Sequence, residues 1–220
     1  MTAGLRSALQ AGALLGLAAL LASALLAGVH VLSRERIADG EQRLQWQALT
    51  EVLPADRHDN DLLASRIEVE ATHWLGAGTH PLYRGRRDDQ PQALVLEAIA
   101  NDGYNGDIRL LLAIGSNGRL LGLRILAHGE TPGLGDAIAR PDWQSQFLGN
   151  ALDAPPHPAW RLRGDDGRID ALTGATISSQ ALLGAVRRAL AFVQLHGSAL
   201  HAADAGARLR FDDAPADTVR

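Results

Sequence analysis

The order of apolar and polar positions divides this chain into an anchor, a helix, a mixed domain and a polar tail. From Ser7 to Leu32 the chain has no acidic residue and no Arg. About 20 apolar residues at 1.5 Å each cross a hydrocarbon core of ~30 Å, so the run predicts a transmembrane helix. Ala22-Ser23-Ala24 also resembles a signal-peptide cleavage site. Signal-peptide apolar cores are shorter, however, at roughly 7–15 residues, and this run continues past that point. The expected organisation is an anchor over 1–33, a juxtamembrane helix over 34–54, a folded domain over 55–200 and a disordered tail over 201–220. Ile37, Leu44, Leu49 and Val52 mark the apolar side of the juxtamembrane helix, Gly40 weakens it, and Pro54 ends it.

Within the domain, a polar stretch with Arg84, Arg86, Arg87 and Asp88 precedes three apolar runs of strand length. These are Ala93–Ala100, Asp107–Ile114 and Leu120–Ala127. The last two flank Ser116-Asn117-Gly118-Arg119, and Asn-Gly between apolar runs predicts a hairpin. A short helix is expected around Pro141–Leu148, with Trp143 and Phe147 one turn apart. Trp160–Arg163 and Ile169–Leu172 read as strands joined by a turn at Asp165-Asp166-Gly167. From about Ile177 to Leu195, the apolar residues Leu182, Val186, Leu190 and Val193 recur at three- and four-residue spacing, which predicts an amphipathic helix. The fold class that follows is α+β: an N-terminal transmembrane helix, then an antiparallel sheet with packed helices.

Composition narrows the chemistry. The formal net charge of −4 argues against a nucleic-acid partner, which requires a basic face. There is no Cys, so the chain has no disulfide, thiolate nucleophile or cluster ligation of its own. Any electrons it carries must travel on an added cofactor.

Two segments suit such a cofactor. In Asp170-Ala171-Leu172-Thr173-Gly174-Ala175-Thr176, an apolar strand runs through a glycine turn into the long helix. Thr176 falls at the helix N-terminus, where unpaired N–H groups and the dipole favour an anion such as phosphate. The competing reading is simple capping by Thr173 or Thr176. The second segment is His128-Gly129-Glu130-Thr131-Pro132-Gly133-Leu134-Gly135. Its glycines let backbone approach a flat ligand, and its competing reading is a structural turn. His128 and Glu130 lack a third ligand in sequence, so no metal site is expected.

The Asp-x-x-Thr-Gly-Ala-Thr pattern resembles the attachment motif of the FMN-binding domain family. His128–Asp136, Gly103–Ile108, Val52-Leu53-Pro54 and the preceding anchor resemble, within that family, the RnfG component of Rnf electron-transport complexes. The resemblance implies FMN joined covalently to Thr176 by a phosphoester, with Asp170, Thr173, Gly174 and Ala175 shaping the attachment turn. It also implies that Glu130, Thr131, Gly133, Leu134 and Gly135 lie beside the flavin. In that arrangement Glu130 accepts a hydrogen bond from it, and the glycine N–H groups reach ring oxygens. The family often carries Lys beside His128 and after Asp136, where this chain has Gly129 and Ala137.

The implied partners are other membrane subunits of an ion-translocating electron-transport complex of the ferredoxin/NAD type, and a flavin transferase that uses FAD and Mg²⁺. The implied location is the bacterial inner membrane, with the domain on the periplasmic side. Arg6 on one flank of the anchor and Arg34 and Arg36 on the other do not mark that orientation. The alternatives are the NqrC component of a sodium-translocating NADH:quinone reductase, which shares the attachment motif, and a membrane-anchored flavin-binding or sensory module. A structural protein without cofactor is the third.

Overall fold

The computed structural model of the protein describes residues 12, 14–28, 45–152 and 160–215. It divides into two units, one up to Trp46 and one from Gln47 onward. In the first, residues 14–28 are helical, and Leu14, Leu15, Leu20, Leu21, Leu25 and Leu26 are exposed. Among the described residues no helix is long and apolar enough to cross a membrane. Both ends of the expected anchor, and the juxtamembrane helix up to residue 44, lie outside the described residues.

The second unit begins in helix α1 (45–52) and is built on one six-stranded sheet. Its strands are β1 (Ile67–Glu70), β2 (Thr79–Arg87), β3 (Gln90–Ala100), β4 (Ile108–Gly115), β5 (Leu120–Ala127) and β6 (Arg208–Arg210). They lie in the order β5-β4-β3-β2-β1-β6. Strands β1 to β5 pair antiparallel, and β6 joins β1 in parallel. Among the described residues three helices follow α1: α2 (Thr72–Leu75), α3 (Pro141–Gln144) and the long α4 (Thr176–Ala202).

Both faces of the sheet are covered. Along β3, Leu94, Leu96, Ala98 and Ala100 enter the larger core, and Ala93 and Val95 enter the smaller one. Strand β4 alternates likewise, with Ile108, Leu110, Leu112 and Ile114 on one side and Leu111 and Ala113 on the other. A strand buried on both faces has no polar side to show, so these segments read as continuous apolar runs. Helix α4 fills the larger core with Leu182, Val186, Leu190 and Phe192. Leu49, Val52 and Leu53 close the smaller one. Gly122 admits that closure, since a Cβ there would strike the Val52 carbonyl.

Strands β3, β4 and β5, the Asn-Gly hairpin and the helix after Pro141 fall where the apolar pattern places them. Other expectations need correction. The polar stretch before residue 93 holds β1, α2 and β2. Its arginines sit in a strand because distant carbonyls accept from them. Arg84 Nε donates to Ser65 O (3.0 Å) and its Nη1 to Ala203 O, while Arg86 Nη2 donates to His201 O (2.7 Å). The tail beyond His201 is not disordered as far as residue 215: β6 pairs with β1, and Phe211 packs against Phe192 and His196.

The two strands expected around Asp165-Asp166-Gly167 are absent. The segment instead folds as a 3-10 turn (Arg163–Asp165) with Asp166 left-handed (φ 61°), and a single parallel bridge joins Leu162 to Ile169. The turn doubles back so tightly that a Cβ on Gly167 would strike the Arg161 carbonyl, which leaves no length for a ladder.

Candidate functional site

Two turns of the same build meet at the start of α4. In Thr131–Leu134, the Leu134 N–H donates to Thr131 O (3.2 Å) and Gly133 has φ 78°. In Leu172–Ala175, the Ala175 N–H donates to Leu172 O (2.9 Å) and Gly174 has φ 81°. A positive φ at the third position of a four-residue turn is the reason glycine stands there. The turns touch: a Cβ on Gly174 would lie 3.0 Å from Leu134 Cδ2.

The second turn is held from behind by Ser179. Its hydroxyl donates to Ala175 O (2.9 Å) and accepts from the Leu172 N–H (3.1 Å). The helix that follows starts at Thr176, with Ala175 as its N-cap residue and no side-chain cap. Capping by Thr173 or Thr176 is therefore not what those residues do. The first N–H groups of a helix have no intrahelical acceptor, and Thr176, Ile177 and Ser178 line a cleft of about 520 Å³.

Tyr104, Glu130, Thr131, Leu134, Gly135, Gly174 and Ala175 complete its lining. Thr176 is exposed at the first helical position. Three apolar or aromatic side chains stay open to solvent around the cleft: Tyr104 at 68%, Ile177 at 51% and Leu134 at 49% exposure. A flat apolar ligand could cover them, and a cleft of this size is in the range of cofactor sites.

Glu130 lines the cleft from within its wall. It is buried at 5% exposure, and its carboxylate is tied into the protein. The buried Ser178 hydroxyl donates to Oε2 (2.7 Å), and the Asn105 N–H reaches Oε1 (3.4 Å). Glycines on both sides make room for it: a Cβ on Gly135 would stand 2.7 Å from Oε2, and one on Gly103 2.8 Å from Oε1. Asn105 Nδ2 donates to Gly129 O, closing the same junction. Glu130 thus joins the 103–106 loop, the 129–135 loop and the first turn of α4.

The expected site residues divide. Glu130, Thr131, Leu134, Gly135, Gly174, Ala175 and Thr176 line one cleft. Gly133 shapes its rim turn, whereas Asp170 and Thr173 are exposed and outside the lining. The Asp170 carboxylate pairs with Arg163 Nε (2.5 Å). Its backbone is pinned from both sides, accepting from Trp143 Nε1 (2.7 Å) and donating to Gln146 Oε1 (2.8 Å). Sequence reasoning missed Ser178 and Ile177. Ile177 follows the motif directly and could have been included, whereas nothing local marks Ser178 as the partner of a residue 48 positions away.

Among the described residues no group of three or more His, Cys, Asp or Glu side chains could hold a metal. A second cleft of about 440 Å³ lies between the β4–β5 hairpin and the C-terminal half of α4. None of the expected site residues lines it.

The FMN-binding domain family matches residues 103–191, and the RnfG N-terminal region matches residues 1–52. The G component of the ion-translocating oxidoreductase complex of Vibrio cholerae serotype O1 (strain M66-2) is 40% identical over 192 residues, covering 86% of this chain and 92% of the relative. The G component from Pseudomonas aeruginosa (strain UCBPP-PA14) is 40% identical over 190 residues, covering 85% and 89%. Among solved structures, NqrC of Shewanella oneidensis superposes with a TM-score of 0.43 at 21% identity, over 71% of this chain and 74% of that one. The FMN-binding match contains both turns of the cleft, and the identity with the relatives extends over most of both chains. The chain belongs to the RnfG family, the G components of ion-translocating oxidoreductase complexes.

Proposed function

We propose that this chain is the electron-transfer subunit of a membrane-bound complex that couples electron transfer to ion translocation, and that it carries FMN as a phosphoester on Thr176. The observation that carries this reading is the cleft at the start of α4. It joins an exposed threonine hydroxyl, an uncapped helix N-terminus and uncovered apolar side chains in one place.

The residues present fit the cofactor. The helix N-terminus meets the phosphodiester, a contribution of about 0.3–1 kcal/mol for one charge. Tyr104, Leu134 and Ile177 would offer apolar surface to the ring, and the turn at Gly133 would let backbone approach it without a side chain in between. When bound, FMN supplies one- and two-electron redox chemistry, and the protein supplies orientation and local charge. The NqrC component of the sodium-translocating reductase is the less suitable assignment, because the chain matches RnfG-type relatives over most of its length.

Attachment requires a separate enzyme. A threonine hydroxyl is a weak nucleophile without a base, and Asp170 is paired with Arg163 outside the cleft. A flavin transferase supplies that base. It moves the FMN phosphoryl group of FAD to the Thr176 oxygen with Mg²⁺; the diphosphate bond breaks, AMP leaves and the hydroxyl proton goes to the enzyme. Co-expressed with such a transferase, the full chain should fluoresce on a denaturing gel, and Thr176→Ala should abolish that signal while the protein stays folded. Equal fluorescence in the variant refutes the assignment.

The other membrane subunits of the complex are its partners, and residues 1–33 are its anchor, in the bacterial inner membrane. By the family resemblance the domain lies on the periplasmic side; the arginines flanking the anchor do not forbid this, since long domains translocate largely regardless of flanking charge. Alkaline phosphatase joined after Arg220 should therefore be active. The junction belongs there because a fusion at His196 would cut through α4. A bright cytoplasmic fluorescent-protein signal from the same junction refutes the orientation.

A further inference from the structure

The cleft has a charge balance that the attachment chemistry does not require. Among the described residues its lining contains one carboxylate, Glu130, and no Arg or His. That carboxylate is bound to Ser178, two residues after Thr176 and within the first turn of α4. It therefore draws on the same positive helix end that a phosphate at Thr176 would use. It cannot swing away, because Gly103 and Gly135 enclose it on both sides and two hydrogen bonds fix it.

The two forms in which FMN could reach this cleft differ in charge. Free FMN is a phosphomonoester and carries roughly −1.5 to −2 charges at neutral pH. A phosphodiester carries one. The free form would bring nearly twice the negative charge to a helix end already shared with a carboxylate, with no cationic side chain in the lining to meet it.

We infer that Glu130 is a specificity-determining residue that disfavours free FMN, so that the cleft accepts the flavin chiefly as the covalently attached phosphodiester. This inference rests on the proposed attachment at Thr176. It gives the covalent bond a physical function: the bond supplies the retention that the electrostatics of the cleft withhold. It also assigns the Glu130–Ser178 pair a consequence beyond joining three segments. Ser178 fixes where the charge stands, and Glu130 supplies it.

The test uses the full-length chain in detergent, made without the transferase, and titrated with FMN and with riboflavin, which lacks the phosphate. In the wild type, FMN should bind no more tightly than riboflavin. Glu130→Gln should tighten FMN by about tenfold, the effect expected when a like charge several ångströms away is removed at an intermediate dielectric. Riboflavin affinity should change by much less than FMN affinity.

A second measurement does not depend on how the variant folds. Raising the ionic strength in the wild type should strengthen FMN binding relative to riboflavin, because salt screens the repulsion. Wild-type binding of FMN well above riboflavin, or weakened by salt, overturns the inference. So does a folded Glu130→Gln chain that gains equally for both ligands or for neither. Chain made with the transferase separates the two levels of the argument. If it carries no covalent flavin, the attachment reading fails; if it does, while unmodified chain holds FMN tightly, this inference alone fails.

Discussion

The two ends of α4 are treated in opposite ways. At the C-terminal end two carbonyls accept from arginines of β2. Arg86 donates to His201 O (2.7 Å), Arg84 donates to Ala203 O, and the Ala203 N–H returns to Ala199 O (3.1 Å). His196, one turn earlier, sits among Trp74, Phe192 and Phe211 and pairs with Asp213 (3.0 Å). At the N-terminal end Ala175 offers no cap, and Thr176 stands exposed beside a cleft. Helix ends carry the same number of orphan groups by geometry. One end of this helix satisfies two of them from within the fold and gains stability. The other leaves donors available to a ligand, and the proposed chemistry is there.

The comparison can be broken first at the satisfied end. Arg84 is buried at 5% exposure and bonds the Ser65 and Ala203 carbonyls. Burial, and then the like charge of Arg86, hold its guanidinium below the ordinary arginine value, so its hydrogen bonds are what keep it there. Arg84→Ala leaves buried acceptors without partners and should cost about 3 kcal/mol. Chemical denaturation of the variant checks this, and flavin attachment to the folded fraction should be unaffected.

His201 gives the same end a pH dependence. Its pKa is lowered from 6.5 to about 4, by burial first and then by Arg86 and Arg84. A base with a depressed folded pKa contributes stability that is present above about 6.5 and is lost as pH falls towards about 4, because the unfolded chain takes the proton first. The melting temperature should fall across that window, and His201→Gln should flatten the fall. A wild-type profile that is level between those values contradicts the neutral imidazole.

The smallest effect belongs to the open end. Gly174 has φ 81°, and a Cβ there would press on Leu134 at 3.0 Å. Gly174→Ala should cost about 1–2 kcal/mol for the left-handed backbone. It should also displace Leu134 and slow flavin attachment, read as in-gel fluorescence against time. Attachment at the wild-type rate would show that the contact between the two turns is incidental.

Local signals were the legible ones. The hairpin at Asn117-Gly118, strands β3 to β5, the helix after Thr176 and both glycine turns rest on periodicity or on a backbone angle that few residues adopt. Those properties reside in a handful of adjacent positions. The illegible parts depend on partners far along the chain. Nothing near Arg84 or Arg86 announces that carbonyls 119 and 115 residues away will accept from them, so β2 reads as a polar stretch. Strand β6 is short and charged, and it exists because β1 offers it an edge. Asp170 belongs to the motif by position, yet its side chain is turned to Arg163 and away from the cleft lining.

Glu130 divides the two kinds of information most clearly. The resemblance of the Glu-Thr-Pro-Gly-Leu-Gly segment puts it beside the proposed flavin, and in the structure it lines the cleft. What its carboxylate touches was not written nearby, since Ser178 and Asn105 lie 48 and 25 residues away. The amino-acid sequence by itself determined strands β3 to β5, the helices after Pro141 and Ala175, the turn glycines and the threonine at a helix start, because backbone conformation and apolar periodicity are local. Only the tertiary structure decided which polar groups were consumed by the fold and which were left facing the cleft. A buried carboxylate or guanidinium takes its partners wherever packing brings them, and chain distance does not limit that choice.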